Sequence, residues 1–266
     1  MTGSPVFEFD NVSFSYGRQA ELFKNMSFRI HRGESVAVLG ANGSGKSTLL
    51  KIMCGLCHPQ SGSFRAFGRE ITGADFEDDG FSKEYHARIG FLFQNTQVQM
   101  LTTRVWDEIA YGPLQLPLSS SEVKGRVEDI LTFLDIGHLR DRSPHRLSGG
   151  EQKKVALASV LVLNPQVLIF DEPTNGLDPR TQSWLVNVLL KLNKQGRTLV
   201  IATHNLELAH TLCPRSLLLS EQHQILFDGP SDQILNDYDM LREANLIDDF
   251  SHTHHNQTHT HRYTHQ

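Results

Sequence analysis

Gly40-Ala41-Asn42-Gly43-Ser44-Gly45-Lys46-Ser47-Thr48 decides the fold of this chain. The stretch fits G-x-x-x-x-G-K-[ST], a loop that wraps phosphate. Ser35 to Leu39, just before it, is short, apolar and β-branched, and reads as a buried strand. Lys46 to Cys54, just after it, has helical spacing. Glycines let backbone N–H groups turn inward around an anion without Cβ clashes. The helix N-terminus adds partial positive charge at the same place. Lys46 is placed to reach β- and γ-phosphates, and the Ser47 hydroxyl to ligate Mg²⁺. A glycine-rich turn serving only the fold would need neither. The loop therefore implies a nucleoside triphosphate, without saying what its energy drives.

A second element completes a hydrolytic pair. Val167-Leu168-Ile169-Phe170 is fully apolar and emerges at Asp171-Glu172. Charge at the end of a buried strand is costly unless a cation compensates it. Asp171 is placed to hold Mg²⁺, directly or through water, and Glu172 to polarise an attacking water. Ser148-Gly149-Gly150 opens a helix and reads either as a second anion nest or as a simple N-cap. The Glu151-Gln152 that follows, and the Asp-Glu strand soon after, favour the nest. It lies far from Lys46 in sequence, so a shared γ-phosphate most simply calls for two copies of the chain. His204 and Gln94 each end an apolar strand. His204 is expected at the γ-phosphate, Gln94 at Mg²⁺ or its water. Tyr16 sits in a turn between strands, where it either stacks on adenine or covers the sheet edge.

Length and composition set the bounds. The chain has 266 residues, enough for one sizeable α/β domain with a tail. A net charge of −5 gives no basic field for nucleic acid. Cys54 and Cys57 form a C-x-x-C pair at a helix end, but no second pair completes a zinc site, so they read as packing thiols suited to a reducing cytosol. No apolar run approaches the roughly 18–20 residues that cross a bilayer. No basic start marks a secretory signal. The expectation is a polypeptide soluble by itself, reaching a membrane only through a partner.

Along the chain, Val6–Phe9 and Val12–Phe14 read as two half-buried strands, and Phe23–Ile30 as another. Ile71 to His86 reads as a polar surface loop with one helical turn. Val105–Tyr111 and Ser121–Leu134 read as helices, the second with Val123, Val127, Ile130, Leu131 and Leu134 on one face. Another helix runs from the Ser148 region to Leu163, and Pro179 starts the next. Thr198–Thr203 is a further buried strand, and Ser216–Leu219 with Gln224–Phe227 forms a hairpin. Strands alternating with helices imply an α/β fold with a mostly parallel core sheet. After about Leu235 the composition turns polar, and Ser251 to Gln266 reads as an unstructured tail.

These motifs, in this order, resemble the ATP-binding subunit of ABC transporters over Val6 to about Leu235. The resemblance rests on Tyr16, the phosphate loop, Gln94, Leu147 to Gln152, Asp171 with Glu172, the Gly176-Leu177-Asp178 turn and His204. It implies the phosphate-loop NTPase fold of ABC type. That fold has a mostly parallel core sheet, an antiparallel β subdomain, and a helical subdomain at about 95–165 that docks a membrane partner. Residues 1–235 would form the ATPase domain and 236–266 a C-terminal extension. ATP and Mg²⁺ would bind at Tyr16, Asn42, Gly43, Ser44, Gly45, Lys46, Ser47, Thr48, Gln94 and Asp171. The resemblance also implies a head-to-tail dimer, most economically a homodimer. In it Ser148, Gly149 and Gly150 of one copy would meet the nucleotide on the other. Glu172 would be the general base, with His204 positioning it and Lys46 holding the phosphates. The chain would sit on the cytoplasmic face of the cell membrane, bound to an integral-membrane coupling subunit and a substrate-binding membrane subunit.

Asn95 to Leu101, then Val105-Trp106-Asp107-Glu108-Ile109-Ala110-Tyr111-Gly112-Pro113, are similar to the energy-coupling-factor ATPases, especially the cobalt/nickel branch. Thr96 stands where those proteins usually have proline. The tail carries His252, His254, His255, His259, His261 and His265. Neutral imidazole suits Ni²⁺, Co²⁺, Cu²⁺ and Zn²⁺, and a solubilising tail with no role is the competing reading. A vitamin or other micronutrient is the alternative cargo. A soluble ABC-type ATPase of DNA repair or translation predicts fused ATPase units, a coiled-coil insertion or a basic surface, and the sequence has none of these.

Overall fold

The computed structural model describes residues 4–17, 20–94, 100–254 and 257–264, with 248–254 and 257–264 described by their backbone. The chain divides into two compact units, 1–78 with 198–266, and 79–197.

The first unit opens on β1 (Pro5–Phe14), which pairs antiparallel with β2 (Phe23–His31). One strand replaces the two expected. The register shifts between Phe9 and Val12, and Asn11 takes a φ of 51°. This bulge moves the apolar set from odd to even positions, so Phe7, Phe9, Val12 and Phe14 are all buried. Phe9 stacks on Phe28 with ring centroids 4.4 Å apart. Next come β3 (Ser35–Leu39), buried throughout, and α1 (Lys46–Met53). β4 (Ser61–Ala66) and β5 (Arg69–Glu70) complete an antiparallel sheet ordered β2-β1-β4-β5. Cys54 is buried at the end of α1, where burial pushes its thiol well up. It packs as a small apolar group.

In the second unit, α2 (Asp79–Arg88) falls inside the stretch expected to be a loop. Tyr85 is its one buried residue, so the helix carries no apolar stripe to betray it. β6 (Ile89–Leu92), α3 (Val105–Ala110) and α4 (Ser120–Phe133) follow. Ser119 caps α4 in a capping box with Glu122, and Val123, Val127 and Leu131 are buried as their spacing predicts. α5 (Gly149–Leu161) is buried nearly all round, with Val155, Ala156, Leu157 and Ala158 fully covered. β7 (Val167–Asp171) runs parallel to β6, from Ile89↔Val167 to Leu92↔Phe170. Asp178 then caps α6 (Pro179–Lys194), with proline in its first turn.

The chain returns to the first unit with β8 (Thr198–Thr203), α7 (Leu206–Leu212), β9 (Arg215–Leu219) and β10 (Ile225–Pro230). β3 lies between β8 and β9, parallel to both, and β10 closes antiparallel on β9. These central strands are apolar on both faces, as covered parallel strands are. α8 (Ser231–Leu235) and α9 (Tyr238–Glu243) follow, and Ile234, Leu241, Ala244 and Leu246 are buried. The packed core thus continues past the composition change at Leu235.

Beyond it lies the stretch expected to be an unstructured tail, where the backbone of the described residues runs in two strands. β11 (Ile247–His254) and β12 (Gln257–Thr264) pair antiparallel. Alternating threonine supplies the strand propensity that a count of apolar residues overlooks. A lone two-stranded ribbon is marginal in water. His255 lies outside the described residues, as do residues 95–99 with the Thr96 departure. Among the described residues, no helix is long and apolar enough to cross a membrane.

Candidate nucleotide site

The phosphate loop leaves the end of β3 and enters α1 at Gly45. Gly40 has φ +155°, and a Cβ there would lie 2.8 Å from the Leu219 carbonyl oxygen. Gly45, the N-cap, has φ +100°, and its Cβ would meet the Phe23 ring at 2.7 Å. Both positions need glycine on two counts, backbone angle and space. Lys46 is buried, and its Nζ donates to the Gly40 and Ala41 carbonyls at 2.7 and 3.0 Å. The ammonium is therefore drawn back into the loop that it serves. Ser44 is 1% exposed, and its Oγ has no hydrogen-bond partner. A buried hydroxyl left unpaired is costly, and a phosphate oxygen in this cradle would satisfy it. The residues therefore fit a bound triphosphate. Asn42, Gly43 and Ser47 are exposed, with Ser47 on the first turn of α1.

Tyr16 is tied to the same loop. Its hydroxyl lies 3.1 Å from Thr48 Oγ1, and the Phe14 ring meets it edge-on at 4.9 Å. The ring is oriented from both ends yet remains 42% exposed. Parallel pairing sets Leu39 against Thr203, so Gly40 and His204 leave adjacent strands at the same end. His204 is half-buried there, and Asn205 behind it caps α7. The first unit thus brings together Tyr16, Asn42 to Thr48 and His204.

The second unit brings Gln94 and Asp171, with Glu172 next along the chain, to a residue that sequence reasoning missed. Asp171 and Glu172 are buried at the end of β7. Glu172 has φ +45°, left-handed backbone that a non-glycine residue adopts at a cost. Gln94 lies exposed two residues beyond β6. Lys153 on α5 is 2% exposed, and its Nζ donates to the Phe93 and Gln94 carbonyls at 3.3 and 3.5 Å. In the sequence Lys153-Lys154 looks like a solvated face. The available signal was α5 itself, too apolar all round to leave that face wet.

Burial pushes Lys153 down from 10.5 to about 8, against the pull of Asp171, which favours the charged form. Between those values the unfolded chain holds more protons here than the folded one, so this group makes stability rise with pH. Below the window the cost of burying the charge is present in full. Urea midpoints compared across it, without Mg²⁺ or nucleotide, should climb in the wild type relative to Lys153→Met. A constant gap between the two would show that the lysine does not titrate there.

Ser148 caps α5. Its Oγ and N–H both donate to a Glu151 carboxylate oxygen, at 2.8 and 2.9 Å, in a full capping box. The bonds to Ser148 hold the Glu151 carboxyl below its usual range. The N-cap reading of this motif is thus realised. Gly149 is exposed, and a Cβ on Gly150 would come within 2.8 Å of Thr181 Oγ1. Thr181 in turn donates to Asp178 at 2.6 Å, so Gly150 fits against the capped start of α6.

A strand, a phosphate loop and a helix, with a second strand ending in paired carboxylates, define a nucleoside-triphosphate hydrolase of α/β type. The ABC transporter family model matches residues 23–175, more than half of the chain. The nickel import ATP-binding protein LarO of Lactiplantibacillus plantarum is 41% identical over 89% of this chain and 97% of its own. The nickel import ATP-binding protein NikO of Rhodobacter capsulatus is 39% identical over 94% of this chain and 99% of its own. The structure of cbiO1 from Clostridium perfringens, part of the ABC transporter complex cbiONQ, superposes with a TM-score of 0.79. It is 31% identical and covers 91% of this chain and 95% of its own. The chain belongs to the ABC transporter family, as an ATP-hydrolysing, transport-coupled subunit.

Proposed function

We propose that this chain energises import of nickel or cobalt ions through an integral-membrane partner, as an energy-coupling-factor ATPase. The observation that carries the reading is near-full-length similarity to two nickel import ATPases, NikO and LarO. The segment Val105 to Pro113 and the likeness to cbiO1 add to it. The histidines after Ser251 would offer such an ion imidazole nitrogen donors on the cytoplasmic side.

In this reading the loop amides, Lys46 and the Ser44 hydroxyl hold the phosphates, and Tyr16 stacks on the base. Ser47, Gln94 and Asp171 hold Mg²⁺. When bound, the metal offsets charge that develops on the phosphate oxygens. Glu172 takes a proton from the attacking water, and His204 holds the γ-phosphate and the base in place. Each chain supplies one loop and one Ser148-Gly149-Gly150, so two copies head to tail complete two sites. Contacts made only in the closed dimer couple nucleotide state to closure. The helical segment at about 95–165 docks the membrane partner.

ATP-dependent Ni²⁺ and Co²⁺ uptake, measured in cells expressing the neighbouring membrane subunits, should be abolished by Glu172→Gln. Equal uptake with both chains would remove this reading.

A further inference from the structure

We infer that His223, in the turn between β9 and β10, is a further nucleotide-binding residue, its Nδ1 meeting a phosphate oxygen at the Gly45 end of the loop. The hairpin lies against that loop at two points. A Cβ on Gly40 would stand 2.8 Å from the Leu219 carbonyl oxygen, and one on Gly45 would stand 3.7 Å from His223 Nδ1. Leu219 ends β9, and His223 belongs to the turn that follows. The His223 N–H donates to the Ser220 carbonyl at 3.0 Å, and the Ser220 N–H to the Gln224 carbonyl at 2.9 Å. Gln224 N–H donates back to Ser220 Oγ at 3.2 Å. Glu221, Gln222 and His223 thus form a short hairpin loop whose last position takes left-handed backbone, a place that glycine ordinarily fills. His223 holds it at a φ of 63°.

The same residue carries a second cost. Its ring is half-buried, and Nδ1 itself is buried with no hydrogen-bond partner among the described residues. A turn selected for stability alone would take glycine and avoid both costs. Strain and an unpaired polar atom held together at one residue point to function. The loop beside it holds the like case of Ser44, whose buried Oγ is also unpaired. Two such atoms bordering one anion-binding loop share one remedy, the oxygens of a bound phosphate. With its proton on Nδ1, a neutral imidazole donates to such an oxygen as the loop amides do. The inference rests on the reading of Gly40 to Thr48 as the phosphate site, and adds a residue from outside it.

The experiment titrates the full chain with a non-hydrolysable Mg-ATP analogue by isothermal calorimetry, with a thermal melt of each nucleotide-free variant beside it. His223→Gly should weaken binding by roughly 10-fold or more, the loss of one hydrogen bond to a charged group. Its melting temperature should hold or rise, because glycine suits the left-handed position. A merely structural histidine would give the reverse, a lower melting temperature with unchanged affinity. His223→Asn also accepts left-handed backbone, and its side-chain amide takes up the place of Nδ1. Its affinity should stay within about threefold of wild type, well short of the loss in His223→Gly. Wild-type affinity in His223→Gly, or equal losses in the two variants, would overturn the inference. Lys46→Ala, titrated alongside, keeps the two readings apart. Wild-type affinity there would remove the loop as the phosphate site. A loss in Lys46→Ala alone would keep the loop and drop His223.

Discussion

Glu172→Gln should lower ATP turnover by roughly 10²–10⁴-fold, the range that a positioned general base contributes. Mg-ATP affinity should stay nearly unchanged. The glutamine keeps the shape of the side chain and loses only the proton acceptor. Shape matters here, because Glu172 is 6% exposed and held in left-handed backbone at the end of β7. Phosphate release at saturating Mg-ATP reads the first effect, and equilibrium binding of labelled ATP reads the second. The bound, uncleaved nucleotide should also trap a dimer that elutes as such on gel filtration. A loss of less than about tenfold would take the base role away from Glu172.

Lys46→Ala acts earlier, on binding. A hydrogen bond to a charged group contributes about 1.5–3 kcal/mol, so ATP affinity should fall by roughly 10–150-fold. Turnover at saturation should fall further, since charge developing on the phosphate loses its fixed cation. The fold should survive. The Gly40 and Ala41 carbonyls that Lys46 now satisfies lie in a loop open enough to leave Asn42 and Gly43 exposed, so water replaces the ammonium. Fluorescent-nucleotide titration beside a thermal melt separates these effects. Unchanged affinity with a collapsed melting temperature would make Lys46 a structural residue.

The nucleotide elements were legible because their chemistry is compressed into short stretches. The run Gly40 to Thr48 states its backbone angles and charge together, and Asp171-Glu172 interrupts an apolar strand where only function explains the break. What stayed hidden depended on partners distant in sequence. The bulge at Asn11 rephases one strand, which reads as two until Phe7 and Val12 are seen buried together. α2 shows no periodicity because it buries Tyr85 alone. Ser148 was legible as a cap or an anion nest, and its bonds to Glu151 show the cap. The strands β11 and β12 carry few apolar residues, so hydrophobic content gave no sign of them.

The placement of Lys153 has a mechanical result. Ser148 begins α5 and Lys153 follows about 7.5 Å along its axis, at 1.5 Å per residue. The same lysine grips the backbone just past β6, where Gln94 stands. If the helix slid while that strand end stayed behind, a buried ammonium would lose its two carbonyl acceptors, and a hydrogen bond to a charged group is worth about 1.5–3 kcal/mol. Thermal motion rarely supplies so much, so the two travel as one rigid piece, and a tug at either end is felt at the other.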